Sequence, residues 1–474
     1  MPPEGHRGGV RAVVRRTKVL ATLGPASSSE AVLRAMLAAG LDGVRLNFSY
    51  GTPEEHARLA RLVRRLSREM ERPVAIVQDL QGVKARLGPL DGPRLLERGE
   101  AVVLSWDRSK GLPVEHPGLE LSVRPGERLL LGDGEVELIV EEALAHGARA
   151  RVIRGGWIRT GLGVHLPGGV VVSGHVTPKD EADLRLGLEL GVDYVAMSFV
   201  RRAADLRALK ARLSVPERPL VIAKLERREA LAHLDEVLAT ADGVMVARGD
   251  LGLEVSLEEV PLAQKRILRQ ANQRGILAVT ATQMLESMVE RDHPTRAEVS
   301  DVANAILDGS DALMLSAETA VGRHPVDAVR TIASIALRVD PEVRAPHLDG
   351  TRVSRRRALA RSACHLAQDV KAKAIVVFTR GGRMAMSISR ERPPVPVFAI
   401  TPRESTWRRL ALWWGVVPLL APRPATMRQM VAAMEQLLVG KGLLHRGDLV
   451  VLVRWAPEVR GWENSLSLHR LGRR

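Results

Sequence analysis

The feature that most constrains this chain is a unit repeated eight times: a short run rich in β-branched residues that ends in polar side chains, then an amphipathic helical stretch. The strand-like runs fall at 18–22, 43–47, 74–78, 194–198, 220–224, 243–247, 277–280 and 312–315. Apolar residues at i, i+3 and i+4 fill intervening stretches such as 53–69, 180–190 and 258–274. Strand and helix in strict alternation predict an α/β fold with a parallel sheet, and eight of each predict a closed (β/α)8 TIM barrel.

The rhythm breaks once. Between residues 86 and 173 it gives way to short strand-like pieces separated by Gly92-Pro93, Arg124-Pro125-Gly126 and Gly132-Asp133-Gly134, which predicts a small β domain inserted after the third strand. After about residue 346 the alternation restarts, with a helix expected at 355–369 and strands at 374–378 and 449–453. The chain therefore divides into a basic N-terminal extension (1–16), a catalytic barrel (17–86 and 174–345), an inserted β domain (87–173) and a C-terminal α/β domain (346–474). The most apolar run, 410–421, is too short for a membrane span and is broken by Gly415 and Pro418, so it reads as a buried strand and its loop.

Charge and cysteine content narrow the function classes. The formal charge is +15, but aromatics make up only 3% of the chain and its arginines lie among Glu and Asp on helical patterns. That argues against a nucleic-acid binder; the plain reading is arginine-rich, solvated helix faces, and the second is a field that attracts anionic substrates. A single cysteine, Cys364, excludes an internal disulfide and fits a reducing compartment. No apolar signal core stands at the N-terminus, where Arg7, Arg11, Arg15 and Arg16 read as a frayed basic start. A cytoplasmic protein without membrane association is expected.

Catalytic groups of such barrels sit at the carboxyl ends of the strands. Here these ends read Arg45-Leu46-Asn47-Phe48-Ser49; Asp79, with Lys84 and Arg86 following; Lys224-Leu225-Glu226; Arg248-Gly249-Asp250; Thr280-Ala281-Thr282-Gln283; and Ser316-Ala317-Glu318-Thr319. Glu226 and Asp250 are hard oxygen ligands from adjacent strands, suited to a Mg²⁺ that keeps water and a substrate oxygen. Arg45 and Lys224 would neutralise a transferring phosphoryl group. Gly249 lets backbone N–H groups approach a small carboxylate. Each residue has a plainer reading: Lys224 as a surface charge, Glu226 as partner of Arg227 and Arg228, Asp250 and Thr282 as helix caps. Six polar strand ends together favour a site for a phosphorylated anion and a divalent metal.

These residues carry a resemblance. Residues 17–27 (TKVLATLGPAS), Arg45 to Ser49, Met245 to Gly252, Ala281 to Met288, Pro294 to Glu298 and Ser300 to Ala305 are similar to the pyruvate kinase family over nearly the whole barrel. The resemblance implies Mg²⁺-dependent phosphoryl transfer from phosphoenolpyruvate to ADP, giving pyruvate and ATP, with Mn²⁺ as the alternative metal. It implies that Lys224 steadies the phosphoryl group, that Glu226 and Asp250 hold the metal, and that Arg45, Gly249, Asp250 and Thr282 contact phosphoenolpyruvate. Lys224, Thr282 and Arg45 become the catalytic set, with the proton donor to the enolate left open between Thr282 and a linked water. Arg86 and Asn47 are the implied nucleotide contacts, and the inserted domain becomes a β-barrel lid that excludes water.

Asn47, Ser49, Asp79 and Leu80 match the family's monovalent-cation site, but Lys84 stands where potassium-dependent members carry Glu. An ammonium there supplies the charge of K⁺, so K⁺ is expected to be dispensable. Other departures are Tyr50 for the usual His, Val83 for a loop proline, and Ala230, Val299 and Ala317 for glycines. In the lid, Thr160-Gly161-Leu162-Gly163-Val164-His165 stands where the family shows basic residues and then Asn, which puts lid contacts to the nucleotide phosphates in doubt. The C-terminal domain resembles the family's regulatory domain more faintly. Its loop Thr379 to Ala385 is a candidate site for a sugar-phosphate or nucleotide effector, with Gly382 and Met384 replacing expected hydroxyls. A homotetramer is implied by the family alone. The rival readings are a degenerate sensor of the same fold and a barrel lyase or aldolase acting on phosphoenolpyruvate or pyruvate.

Overall fold

The computed structural model describes residues 14–83, 85–107, 111–115, 123–132, 134–167, 176–345, 354–423, 426–455 and 464–472. Eight parallel strands close a barrel: Lys18–Thr22, Gly43–Asn47, Ala75–Asp79, Tyr194–Met197, Leu220–Leu225, Gly243–Ala247, Leu277–Ala281 and Ala312–Leu315. The first pairs with both the second and the last, so the sheet has no edge. The α/β barrel expected from the alternation is thus present, with strand ends within a residue or two of the expected positions.

Two of the barrel helices begin where the sequence supplies a full capping box. Thr52 opens Pro53–Glu69 and Thr177 opens Pro178–Glu189, each with a capping box and Pro in the first turn. The apolar faces of these helices pack on the outside of the barrel, in a core that includes Leu59, Val63 and Leu184.

Between the third and fourth barrel strands the chain builds a second, smaller closed barrel of seven strands, from Ala85–Leu87 to Gly163–His165. Its interior is filled by residues such as Leu87, Leu104, Leu129, Leu138 and Val152. The two strands that join it to the main barrel lie side by side, Gly163 opposite Arg86 and Val164 opposite Ala85.

The C-terminal part is a five-stranded sheet that is parallel except for its last strand, Asn464–Arg470. The apolar run 410–421 contributes a short 3₁₀ turn, Leu410–Leu412, and a strand, Val416–Leu420, in keeping with the buried strand expected there. That turn caps the end of the barrel opposite the catalytic strand ends. Leu20, Ala75, Tyr194 and Ile222 inside the barrel share one core with Leu412 and Trp413. Tyr194 donates its hydroxyl to the Arg409 carbonyl at 2.7 Å, and a Cβ on Gly43 would meet Leu412 Cδ2 at 2.8 Å, so a larger residue there would push Leu412 aside. The buried pair Arg392–Asp311 at 2.6 Å and the half-buried pair Arg408–Asp193 at 3.0 Å cross the same junction. Among the described residues, no helix is long and apolar enough to cross a membrane.

Candidate active site

Alternation along an extended segment puts Lys224 and Glu226 on one face at the end of the fifth strand, and that face looks into the barrel mouth. Lys224 is not a surface charge. It is buried, with Nζ 2.9 Å from Glu226 Oε1, 3.3 Å from Asp79 Oδ1 and 2.9 Å from the Ser198 hydroxyl. Burial alone would lower its pKa, but Asp79 and Glu226 outweigh that and hold it above the ordinary lysine value. A permanently charged ammonium is therefore fixed among three strands.

Asp79 ends the third strand and is gripped from the other side by Arg45, whose Nε lies 2.7 Å from Oδ2 and whose Nη1 donates to Thr22 at 3.1 Å. Burial would raise the Asp79 pKa, and the two cations Lys224 and Arg45 win, keeping it below the usual carboxylate value. Leu80 is buried; its carbonyl accepts from Ser198 at 2.7 Å. Asn47 accepts from the Ser49 N–H through its side-chain oxygen at 3.1 Å. Lys84 lies outside the described residues.

Glu226 is buried at the centre of this group. Its Oε2 accepts the Phe199 N–H at 2.7 Å, while Oε1 meets Lys224 as an ion pair without a hydrogen bond of good geometry. Arg227 and Arg228 pair instead with Glu254 and Glu259, so Glu226 is not merely their counter-ion. Burial, aided by the Asp250 carboxylate, raises the Glu226 pKa against the pull of Lys224. A buried carboxylate with an under-used oxygen beside a second carboxylate is a place where a small divalent cation is stabilised. Among the described residues no group of three His, Cys, Asp or Glu side chains is arranged to hold a metal ion, so the rest of such a cation's shell would fall to water and substrate oxygens.

Asp250 sits within the short helix Arg248–Glu254, whose N-cap is Ala247, so it caps nothing. Thr282 caps no helix that follows it; the next helical turn in the chain is capped by Leu285. The Thr282 Oγ1 accepts the Gly249 N–H at 2.9 Å and lies 2.7 Å from the Ala281 carbonyl oxygen, to which it donates. Thr282 and Gln283 hold φ of 64° and 54°, a left-handed conformation costly for a β-branched residue. The restraint is Arg248, whose Nη2 donates to the carbonyls of Thr282 at 2.7 Å and Gln283 at 2.8 Å while Nη1 pairs with Asp301 at 2.7 Å. The sequence displayed Arg248 beside Gly249 but gave it no task, and it likewise gave none to Ser198 and Phe199.

A cavity of about 460 Å³ opens between the two barrels, lined by Ser49, Tyr50, Arg86, Arg159, Gly161 and Leu162 among others. Arg86 donates to the Gly161 carbonyl at 2.9 Å, and its guanidinium carbon lies 5.8 Å from the centroid of the Tyr50 ring. Arg86 is thus tied to the 160–165 segment of the small barrel. In the C-terminal sheet, Thr379 accepts the Gly382 N–H at 3.0 Å ahead of the helix Arg383–Arg390, and Met384 is buried.

A family model described as "Pyruvate kinase, barrel domain" matches residues 14–329, and one described as "Pyruvate kinase, alpha/beta domain" matches residues 357–469. A pyruvate kinase of Agrobacterium vitis is 42% identical over 470 residues, covering 97% of this chain and 99% of the relative. Pyruvate kinase 2 of Synechocystis sp. is 42% identical over 92% of this chain and 76% of the relative. A pyruvate kinase of Geobacillus stearothermophilus is 39% identical over 94% of this chain and 78% of the relative. Both domains and nearly the full length agree: the chain belongs to the pyruvate kinase family.

Proposed function

We propose that the chain transfers the phosphoryl group of phosphoenolpyruvate to ADP in a Mg²⁺-dependent reaction, and that Lys224, Glu226, Asp250, Arg45 and Thr282 carry it. The observation that supports this most directly is the Lys224 ammonium, buried yet charged, beside the Glu226 carboxylate, whose Oε1 makes no hydrogen bond of good geometry. The P–O bond to the enol oxygen breaks as a bond forms to a terminal phosphate oxygen of ADP. The enolate keeps the electron pair until C3 takes a proton.

Lys224 neutralises the moving phosphoryl group, and its salt bridges to Asp79 and Glu226 hold the ammonium still, so little reorganisation is needed at the moment of transfer. Arg45, oriented by Asp79 and Thr22, contributes the second positive charge. Glu226 and Asp250 would hold the divalent cation, which when bound supplies charge for substrate oxygens. The Gly249 N–H and the Thr282 hydroxyl border the substrate carboxylate and the enolate carbon. Arg86 and Asn47 take the nucleotide. The small barrel acts as a lid that keeps water out, and the 379–385 loop is retained as a candidate effector site in a tetrameric enzyme.

We extend the proposal to the monovalent cation: the Lys84 ammonium supplies the charge that K⁺ would bring to the site matched by Asn47, Ser49, Asp79 and Leu80. A coupled assay of pyruvate formation from phosphoenolpyruvate, ADP and Mg²⁺, run in KCl and in a tetramethylammonium salt of equal ionic strength, tests both parts. Turnover in both media is expected. Turnover that requires K⁺ would remove the role given to Lys84, and Mg²⁺-dependent phosphoenolpyruvate binding without turnover would favour a degenerate sensor.

A further inference from the structure

His165 ends the strand Gly163–His165 of the small barrel and is only 4% exposed, yet it reaches the main barrel's acidic pair. Its Nε2 lies 3.4 Å from Asp250 Oδ1 and its Nδ1 lies 3.8 Å from Glu254 Oε1. Asp250 and Glu254 are four residues apart in one short helix, so they project from the same face, and a single imidazole spans them. The ring also stands edge-on to Phe199, with centroids 6.5 Å apart.

Those neighbours are themselves anchored. Glu254 is gripped by the buried Arg227 guanidinium, which in turn lies 5.9 Å from the Phe199 ring centroid. Phe199 holds its backbone at φ 55° and donates its N–H to Glu226 Oε2. His165 therefore occupies the point where the supports of both carboxylates meet, on the Asp250 side directly and on the Glu226 side through Phe199. A ligand carboxylate with two oxygens and a rotatable bond needs such an outer partner to aim one oxygen at a cation.

We propose that His165 is a positioning residue that links the small barrel to Asp250 and holds that carboxylate aimed at the divalent-cation site. The inference rests on the reading of Glu226 and Asp250 as that cation's protein ligands. It gives a structural role to a position where the resemblance leads one to expect Asn. An Asn side chain retains a donor for Asp250 but is too short to span Glu254 as well.

The test is Mn²⁺ binding to the intact chain without substrates, read as loss of the free-Mn²⁺ electron paramagnetic resonance signal, with circular dichroism confirming the fold. His165→Leu fills the space without a donor and is expected to weaken Mn²⁺ binding roughly 10- to 100-fold. His165→Asn retains a donor and is expected to stay within about threefold of the unsubstituted chain. In turnover, the Leu variant should show a raised metal requirement with kcat at saturating metal much less affected. Unchanged Mn²⁺ affinity in His165→Leu, or equal weakening in both variants, would overturn the positioning role. Asp250→Asn separates the two levels. If it loses Mn²⁺ while His165→Leu does not, only the positioning role fails; if it binds Mn²⁺ normally, the ligand reading itself fails.

Discussion

The Nη2 of Arg248 lies 2.7 Å from the carbonyl oxygen of Thr282, and that contact pins a β-branched residue at φ 64°. The same guanidinium reaches the Gln283 carbonyl and the Asp301 carboxylate, so three groups set its plane. The placement of the Thr282 hydroxyl is the product of this restraint rather than of local preference.

Arg248→Lys should therefore damage turnover while leaving the metal site intact. A lysine keeps the charge but cannot reach two carbonyls and a carboxylate at once. The expected loss in kcat is about 10- to 100-fold, from misplacement of Thr282 alone. Steady-state kinetics together with Mn²⁺ binding check it; an unchanged kcat would show that Thr282 does not depend on the brace.

Lys224→Met should separate chemistry from metal binding. Turnover is expected to fall by roughly 10³-fold, the cost of removing a preorganised charge from the transferring group. Mn²⁺ affinity should rise, because a cation 2.9 Å from Glu226 Oε1 no longer competes for that carboxylate. Weaker Mn²⁺ binding in this variant would contradict the arrangement.

Arg86→Ala should act on the nucleotide alone. Loss of charge-assisted contacts worth about 1.5–3 kcal/mol is expected to raise the KM for ADP roughly 10- to 100-fold. The KM for phosphoenolpyruvate should not move, since Arg86 faces Tyr50 and Gly161 rather than Lys224.

Lys18 gives a pH signature at the opposite end of the barrel. It is buried and donates to the Val416 carbonyl at 2.7 Å; burial pushes its pKa down to about 8 from an ordinary 10.5, against the pull of Asp42. Between those values the unfolded chain holds a proton that the native chain has released, so native stability climbs as pH rises through that window. Relative to Lys18→Met, the unsubstituted chain should gain roughly 3 kcal/mol between pH 7 and pH 11. Thermal melts of both proteins across that range check the sign; a gap that shrinks with pH would refute it.

Much of this was legible in the sequence, because the period of strand and helix is a property of neighbouring residues. The eight strands, the β-rich insertion and the polar strand ends follow from runs such as 43–47 and 220–224. What was not legible depends on the stagger of one strand against the next. Ser198 bonding both Lys224 and Leu80, Phe199 feeding Glu226, and His165 meeting Asp250 join residues 26 to 118 positions apart. The left-handed Thr282 was hidden for a different reason, since a β-branched residue is the last to suggest positive φ. The plainer readings of Lys224, Glu226 and Asp250 could be set aside only once burial and partners were visible.

The pairing of Ala85–Leu87 with Gly163–His165 has a consequence for how such a chain assembles. Because departure and return occur side by side, some eighty intervening residues present the main barrel with the span of a hairpin. The small barrel closes its own long loop through its own core, so the entropy of that excursion is borne inside the insert rather than by the third and fourth strands. Nucleation of the large sheet can then proceed as though the detour were a short turn.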